Sequence, residues 1–378
     1  MNKKVTILFI LLFAGIFIFS WFHFSQPKLP IRIGYIGSLT GKFSDMGKTC
    51  RDGALMAVEE INASGGVDDR KLQLIVSDDQ SSPKIALTVA KQLIDQNVQA
   101  IIGPLTSACA KEILELINDK EILTIGPVVA GNYMAQKEDF FIKMYPSTSL
   151  FGEKLGKLAA SNKDLKRLAI ISDDSNLAYT APIAASFEIK VNEFGGEVIE
   201  SIHFNSQNKL SFSKLADEII EANPDGLLLI TGPLSTAIIL QQLRLKGSSI
   251  QSFSSSWAAS QELISEGGSA VEGLLLYIPF NSESTLPNYT QFTNSYKDRF
   301  TKAPTYCSSF NHDAVYMLAE ALKKSAKNSS KKLNELIIEG SPYEGTQGEF
   351  DVDKNGDIHN KLFLQAIKNG QFIIIDTP

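Results

Sequence analysis

From Ile31 onward, short apolar runs alternate with stretches whose apolar residues recur at helical spacing. Ile31–Ile36 reads as a buried strand. A loop from Gly37 to Gly47 follows. Arg51–Asn62 places Ala54, Leu55, Ala57, Val58 and Ile61 on one helical face, and Ala63-Ser64-Gly65-Gly66 stops it. Leu72–Ser77 is the next strand, Pro83–Gln96 a helix, Ala100–Ile102 a strand, Cys109–Asn118 a helix and Leu123–Ile125 a strand. The rhythm restarts near Ser149. Helices are predicted over Phe151–Ser161, Ala181–Phe194, Ser211–Ala222 and Ser235–Lys246. Strands are predicted over Arg167–Ser172, Glu197–His203, Gly226–Ile230 and Gly273–Ile278. Repeated βα units of this length build parallel sheets with helices on both faces.

Two such series predict an α/β protein of two doubly wound, Rossmann-like lobes. The last hundred residues are too few for a third core. Tyr289–Phe300 and His312–Ser325 read as helices. Thr346–Asp351 and Asn360–Lys368 read as strands around an Asn355-Gly356 turn. They are expected to return to the existing lobes, so that several crossings form a multi-strand hinge. The predicted division is 28–147 plus 280–343 for lobe one and 148–279 plus 344–378 for lobe two.

The first 27 residues are set apart. Lys3 and Lys4 precede an apolar run from Val5 to about Phe24, which has no place in a soluble core. This orientation sends the rest of the chain to the outer face of the membrane. The run is longer than a usual signal core and ends in bulky residues, so the segment is either a cleaved signal peptide or a retained anchor at 5–24.

Composition narrows the function. The formal net charge is −6, or −9 from residue 31 onward, and no basic run follows the leader. Nucleic acid is therefore not an expected partner. His203, His312 and His359 are not in metal spacing, and no Ser–His–acid or Cys–His set is apparent. Ser81-x-x-Lys84, Ser206-x-x-Lys209 and Ser211-x-x-Lys214 lack the companion motifs of hydrolases. Asp351-Val352-Asp353-Lys354-Asn355-Gly356-Asp357 imitates the start of a calcium loop, but Leu362 stands where the closing Glu belongs, so a turn is expected. No enzyme activity and no cofactor are expected. Cys50, Cys109 and Cys307 read as three thiols, with a Cys50–Cys109 bridge as the alternative.

Ligands of open parallel sheets bind beyond the carboxyl ends of the strands. The candidate loops are Ser38–Gly47, which contains Met46; Gly103–Ser107; and Pro127–Asn132, which contains Val129 and Ala130. Thr106 and Ser107 precede a helix whose free N–H groups favour an anion, although plain helix capping also accounts for them. Leu177 of the second lobe is a further candidate ligand contact.

Ile33-Gly34-Tyr35-Ile36-Gly37-Ser38-Leu39-Thr40-Gly41 leads into Asp52-Gly53-Ala54 and Glu60-Ile61-Asn62-Ala63-Ser64-Gly65-Gly66. Asp78-Asp79, Pro83-Lys84, Ile102-Gly103-Pro104, Asn311-His312-Asp313-Ala314-Val315 and Gly348-Glu349-Phe350-Asp351 follow. This order resembles the leucine/isoleucine/valine-binding-protein family, the type I periplasmic binding proteins that feed ABC importers. The resemblance implies a three-crossing hinge, closure of the lobes on a small-molecule ligand, a permease partner and a monomer. It also implies a Ser and a Thr on the ligand carboxylate and a lobe-two acid on the ammonium. The Ser aligns with Ser107. The Thr position falls on Ala130, the acid position on Ser256 or Trp257, and the second-lobe aromatic on Pro233 or Leu234. The family's disulfide positions fall on Ser81 and Thr106, so that bridge is absent.

These departures disfavour an unmodified α-amino acid, unless Glu262 or Asp174 swings in. They favour a small carboxylate or amide with an apolar or aromatic part, for which Trp257 offers a flat wall. The alternative role is a membrane-tethered sensor that signals to a partner protein.

Overall fold

A computed structural model describes residues 28–41, 43–134, 137, 139–209, 211–327 and 330–375. The expected signal or anchor at 1–27 lies outside these residues.

The first lobe is built on β1 (Ile31–Gly37), β2 (Leu72–Asp78), β3 (Ala100–Ile102), β4 (Thr124–Gly126) and β5 (Phe141–Lys143). They form one sheet in the order β2-β1-β3-β4-β5, and every pair is parallel. Its helices are α1 (Ser44–Ala63), α2 (Pro83–Asp95) and α3 (Ser107–Asp119). Pro83 sits in the first turn of α2, and the Ser82 hydroxyl accepts from Ile85 N–H, which fixes that helix start.

The chain then crosses to the second lobe and forms α4 (Thr148–Ser161), β6 (Arg167–Asp173), α5 (Leu177–Glu193), β7 (Glu197–Phe204), α6 (Phe212–Ala222), β8 (Gly226–Ile230), α7 (Pro233–Leu245), β9 (Gln251–Ser254), α8 (Gln261–Gly267) and β10 (Leu275–Ile278). It recrosses to form α9 (Pro287–Phe300), α10 (Tyr306–Lys327), α11 (Leu333–Gly340), β11 (Tyr343–Gly345) and β12 (Gly348–Phe350). A third crossing leads to β13 (Phe363–Lys368) and β14 (Gln371–Ile374), which complete a sheet in the order β14-β13-β10-β9-β8-β6-β7. Only β13 and β14 run antiparallel to their neighbours.

Two expectations are corrected. Residues 346–351 and 360–368 do not pair around Asn355-Gly356. β12 pairs with β11 and β13 pairs with β10, while the Asn355 turn carries a single antiparallel bridge, Val352 to Ile358. A local turn signal does not say which distant edge a strand will satisfy. Nor does the whole of 344–378 lie with the second lobe. Asp313 of α10 accepts from both the N–H and the hydroxyl of Thr346, and Lys143 pairs with Asp357 at 3.2 Å. Residues up to about 358 are therefore fastened beside the first sheet.

The helices α1 and α10 lie against each other so closely that a Cβ at Gly53 would strike the Ser308 carbonyl. Cys50 and Cys307 bridge the two helices, with Cα atoms 4.7 Å apart, and Cys109 is the free, buried cysteine. The expectation of three thiols, and of Cys50 with Cys109, is overturned by this packing. Cys109 begins a helix on the opposite face of the first sheet, in a separate apolar cluster with Ile101 and Ile113.

Candidate functional site

In each sheet the strand order reverses beside the first strand of its series, between β1 and β3 and between β6 and β8. The loops at these carboxyl ends face each other across the lobes. Crevices of this kind are where open α/β sheets bind ligands.

The loop after β1 is braced from β2. Asp78 accepts from Leu39 N–H at 2.8 Å and from the Thr40 hydroxyl at 2.5 Å, while Asp79 accepts from the Ser38 hydroxyl at 2.7 Å. Burial pushes the Asp78 carboxyl up, but the Thr40 hydroxyl and the N–H groups of Gln80, Leu39 and Thr40 outweigh it and hold the group below the ordinary range. The helix α1 starts seven residues before the predicted Arg51, because Gly47 lets its first turn pack on the Ser38 carbonyl. That early turn carries Met46 into the crevice. Thr106 accepts from Cys109 N–H at 3.3 Å and caps α3, so its hydroxyl has the capping role.

The crevice holds a cavity of about 30 Å³. The first lobe lines it with Met46, Leu105, Thr106, Ser107, Val128, Tyr145 and Tyr306, and the second with Asn176, Tyr179, Ser256 and Trp257. None of these side chains is a carboxylate, an ammonium or a guanidinium. Tyr179 and Ser256 hydroxyls meet at 3.1 Å. The buried Tyr145 hydroxyl makes no hydrogen bond of good geometry. Burial raises its pKa far above the ordinary range, and the Tyr306 and Tyr179 hydroxyls add to the shift. Trp257 stacks at a tilt on Phe43 of the first lobe, with ring centroids 5.1 Å apart, and edge-on against Tyr179 at 5.7 Å. Asn176 Oδ1 accepts from Ala108 N–H at 3.1 Å. The lobes are thus in direct contact over the crevice.

Of the residues singled out in the sequence, Met46, Thr106, Ser107, Ser256 and Trp257 meet here. Val129 and Ala130 are fully buried behind Val128 and do not line the cavity. Leu177 is half-exposed and lines a broad outer groove of about 1010 Å³ between α3 and α5. Pro233 is buried in the first turn of α7 and Leu234 is partly exposed, and neither lines the cavity; a Cβ added at the preceding Gly232 would lie within van der Waals contact of Phe43 and Trp257. Asp174, offered as an ammonium partner, lies in the outer groove and meets His203 Nδ1 at 3.1 Å. Asn176, Tyr179, Tyr145 and Tyr306 were missed. They lie after β6, after β5 and at the start of α10, where an aromatic or amide side chain gives no signal that separates it from core or capping.

A second, larger cavity of about 330 Å³ lies between the same lobes and shares Met46 and Tyr306 with the first. Among the described residues, no cluster of three or more His, Cys, Asp or Glu side chains is placed to hold a metal. The calcium-like stretch is a turn in which Asp353 accepts from Asn355 and Asp357 N–H groups.

Two lobes of largely parallel sheet, joined by three crossings around a crevice, define the fold of a type I solute receptor. The chain belongs to the periplasmic binding protein family, whose model matches residues 30–371. It is an extracytoplasmic binding protein and not an enzyme. The leucine-, isoleucine-, valine-, threonine- and alanine-binding protein of Pseudomonas aeruginosa is 24% identical over 350 residues, covering 92% of each chain. A leucine-binding protein from Thermotoga maritima superposes with a TM-score of 0.84 at 25% identity, over 92% of this chain and 98% of its own. A solute-binding protein of an ABC transporter from R. palustris, solved with benzoate, gives 0.82 at 16% identity, over 92% and 95%.

Proposed function

We propose that this protein captures a small carboxylate or amide for an ABC importer and delivers it to the membrane permease by closing its lobes on the ligand. The lobes are residues 28–147 with 280–343, extended by the fastened segment to about 358, and 148–279 with β13 and β14. Membership of the periplasmic binding protein family supports the role, and the relatives with amino-acid-binding and ABC-transporter names support the class of ligand. The ligand site is the crevice with Met46, Ser107, Tyr145, Tyr179, Ser256 and Trp257.

The observation that carries the ligand class is the crevice lining, which offers hydroxyls, N–H groups and aromatic faces but no carboxylate. An ammonium buried there without an anion would cost several kcal/mol. A ligand with a carboxylate or amide and an apolar body, but no free amine, meets no such penalty. The R. palustris neighbour was solved with a ligand of that description. Among the described residues no helix is long and apolar enough to cross a membrane; tethering through residues 5–24 remains part of this proposal as the alternative to cleavage.

Calorimetry separates the ligand classes. L-leucine should bind at least about tenfold more weakly than 4-methylpentanoate or its amide. Tight leucine binding with weak binding of both amine-free analogues would contradict the proposal.

A further inference from the structure

The helices α1 and α10 both begin at the crevice. Met46, in the first turn of α1, and Tyr306, the first residue of α10, line it together. A first turn is the weakest part of a helix, because its N–H groups have no partner within it. α1 lacks the usual remedy. Its N-cap residue is Phe43, and no side chain makes a cap bond there.

The Cys50–Cys307 bridge sits beside these two first turns. Cys50 lies one helical turn after Met46, and Cys307 directly follows Tyr306. Cys307 Sγ is 3.5 Å from the Met46 carbonyl oxygen, and the Tyr306 hydroxyl is 3.6 Å from Met46 Sδ. The close approach of Gly53 to Ser308 lies beyond Cys50 along α1, on the far side of the bridge from Met46. From the bridged turns the contacts run on into the crevice. Tyr306 meets the Tyr145 ring at 5.6 Å, and Phe43 meets Trp257 of the second lobe at 5.1 Å.

We propose that the Cys50–Cys307 bridge is a positioning element of the ligand crevice. It fixes the first turns of α1 and α10, and with them Met46, Tyr306 and, through Phe43, the seat of Trp257. The proposal rests on the crevice as the ligand site. When a dithiol opens the bridge, the disulfide takes up two electrons and two protons and becomes two thiols, while the dithiol closes to its own disulfide. The chain stays folded, the two first turns loosen, and ligand capture weakens.

Trp257 reports on this directly. Trp21 is the other tryptophan of the chain, so the Trp21→Phe background leaves Trp257 as the sole emitter. In that background the bridged chain is compared with the dithiothreitol-reduced chain and with the double variant Cys50→Ser, Cys307→Ser, each well below its melting temperature. Both open forms should show red-shifted emission and acrylamide quenching stronger by about twofold or more, and reoxidation should reverse the change in the reduced chain. Ile219→Ala, in the separate apolar cluster of the second lobe, loses comparable stability and should leave emission and quenching unchanged. In calorimetry 4-methylpentanoate should bind the open forms about tenfold more weakly than the bridged chain. Emission and quenching alike in bridged and open forms would overturn the proposal, and so would an equal shift in Ile219→Ala or equal affinity in bridged and open forms. Collapse of the fold in both open forms would overturn it too, because the bridge would then hold the fold rather than the site. Absence of 4-methylpentanoate binding in every form, with the emission shift present, would count against the assigned ligand class and support the positioning role.

Discussion

Asn176 of the second lobe accepts a hydrogen bond from Ala108 N–H of the first at 3.1 Å. Ala108 lies in the first turn of α3, beside Ser107, where the family resemblance places a ligand carboxylate. The protein therefore presents its own amide oxygen at that N–H and uses it to hold the lobes together. Removing it should loosen closure. Asn176→Ala is expected to cost about 1 kcal/mol of stability and to raise the radius of gyration of the ligand-free chain in small-angle scattering. Identical scattering and an unchanged unfolding midpoint would mean the contact does not hold the lobes.

The bridge between Cys50 and Cys307 closes a separation of 257 residues. Thiol titration of the chain unfolded without reductant should find one thiol, Cys109. Reduction, or Cys307→Ser, should lower stability by about 2–5 kcal/mol. Three thiols in the unreduced chain would refute the pairing.

Lys143 and Asp357 pair at 3.2 Å, each about 3% exposed, and tie the first crossing to the third. Lys143 also donates to the Tyr145 carbonyl at 3.1 Å, next to the crevice. Breaking the pair with Lys143→Met should cost about 3–5 kcal/mol, because it takes the buried Lys143 countercharge away from a buried carboxylate. The double variant Lys143→Met, Asp357→Leu should lose less than the sum of the two single changes. Additive losses in denaturant unfolding would show that the two residues act independently.

His312 lies between Glu60 at 2.9 Å and Asp313 at 3.4 Å, and Tyr316 donates to the same Glu60 oxygen. Burial works against the charged imidazole, but the hydrogen bonds and charges of Asp313 and Glu60 outweigh it and raise its pKa above 6.5. Burial likewise opposes the Glu60 carboxylate, and His312 and Tyr316 outweigh it, so that this pKa falls below 4.5. A raised histidine stabilises fully below its unfolded value and loses that contribution as pH rises through the folded one. A lowered carboxyl contributes above its unfolded value and loses it as pH falls through the folded one. The pair should therefore stabilise most between 4.5 and 6.5. The urea midpoint should decline as pH rises above 6.5, and His312→Gln should flatten that decline. An equal slope in both proteins would contradict the assignment.

The alternation of apolar runs exposes the two parallel sheets directly, because βα units repeat a local pattern. Met46 and Ser107 were legible for the same reason: each follows a predicted strand. Trp257 came only from the family resemblance, because the short strand before it, β9, gives no clear apolar run. Tyr145, Tyr179 and Tyr306 were not, since an aromatic residue near a strand or helix end looks like core until the opposite lobe is placed. Their role depends on the approach of residues far apart in the chain, as does the Cys50–Cys307 bridge. Asn355-Gly356 misled in the opposite way. Its turn forms, but β13 reaches a better edge on β10.

The central claim, a receptor that holds a small solute between its lobes and leaves it unchanged, is tested most directly by what the natively purified chain carries. Mass spectrometry of the solution released on unfolding should find one small organic molecule in near-equal ratio to protein. The same molecule, added back, should raise the melting temperature and be recovered unaltered. Release of nothing, with no thermal shift from amino acids, organic acids, amides or aromatic alcohols, would contradict the account, as would recovery of a chemically altered solute.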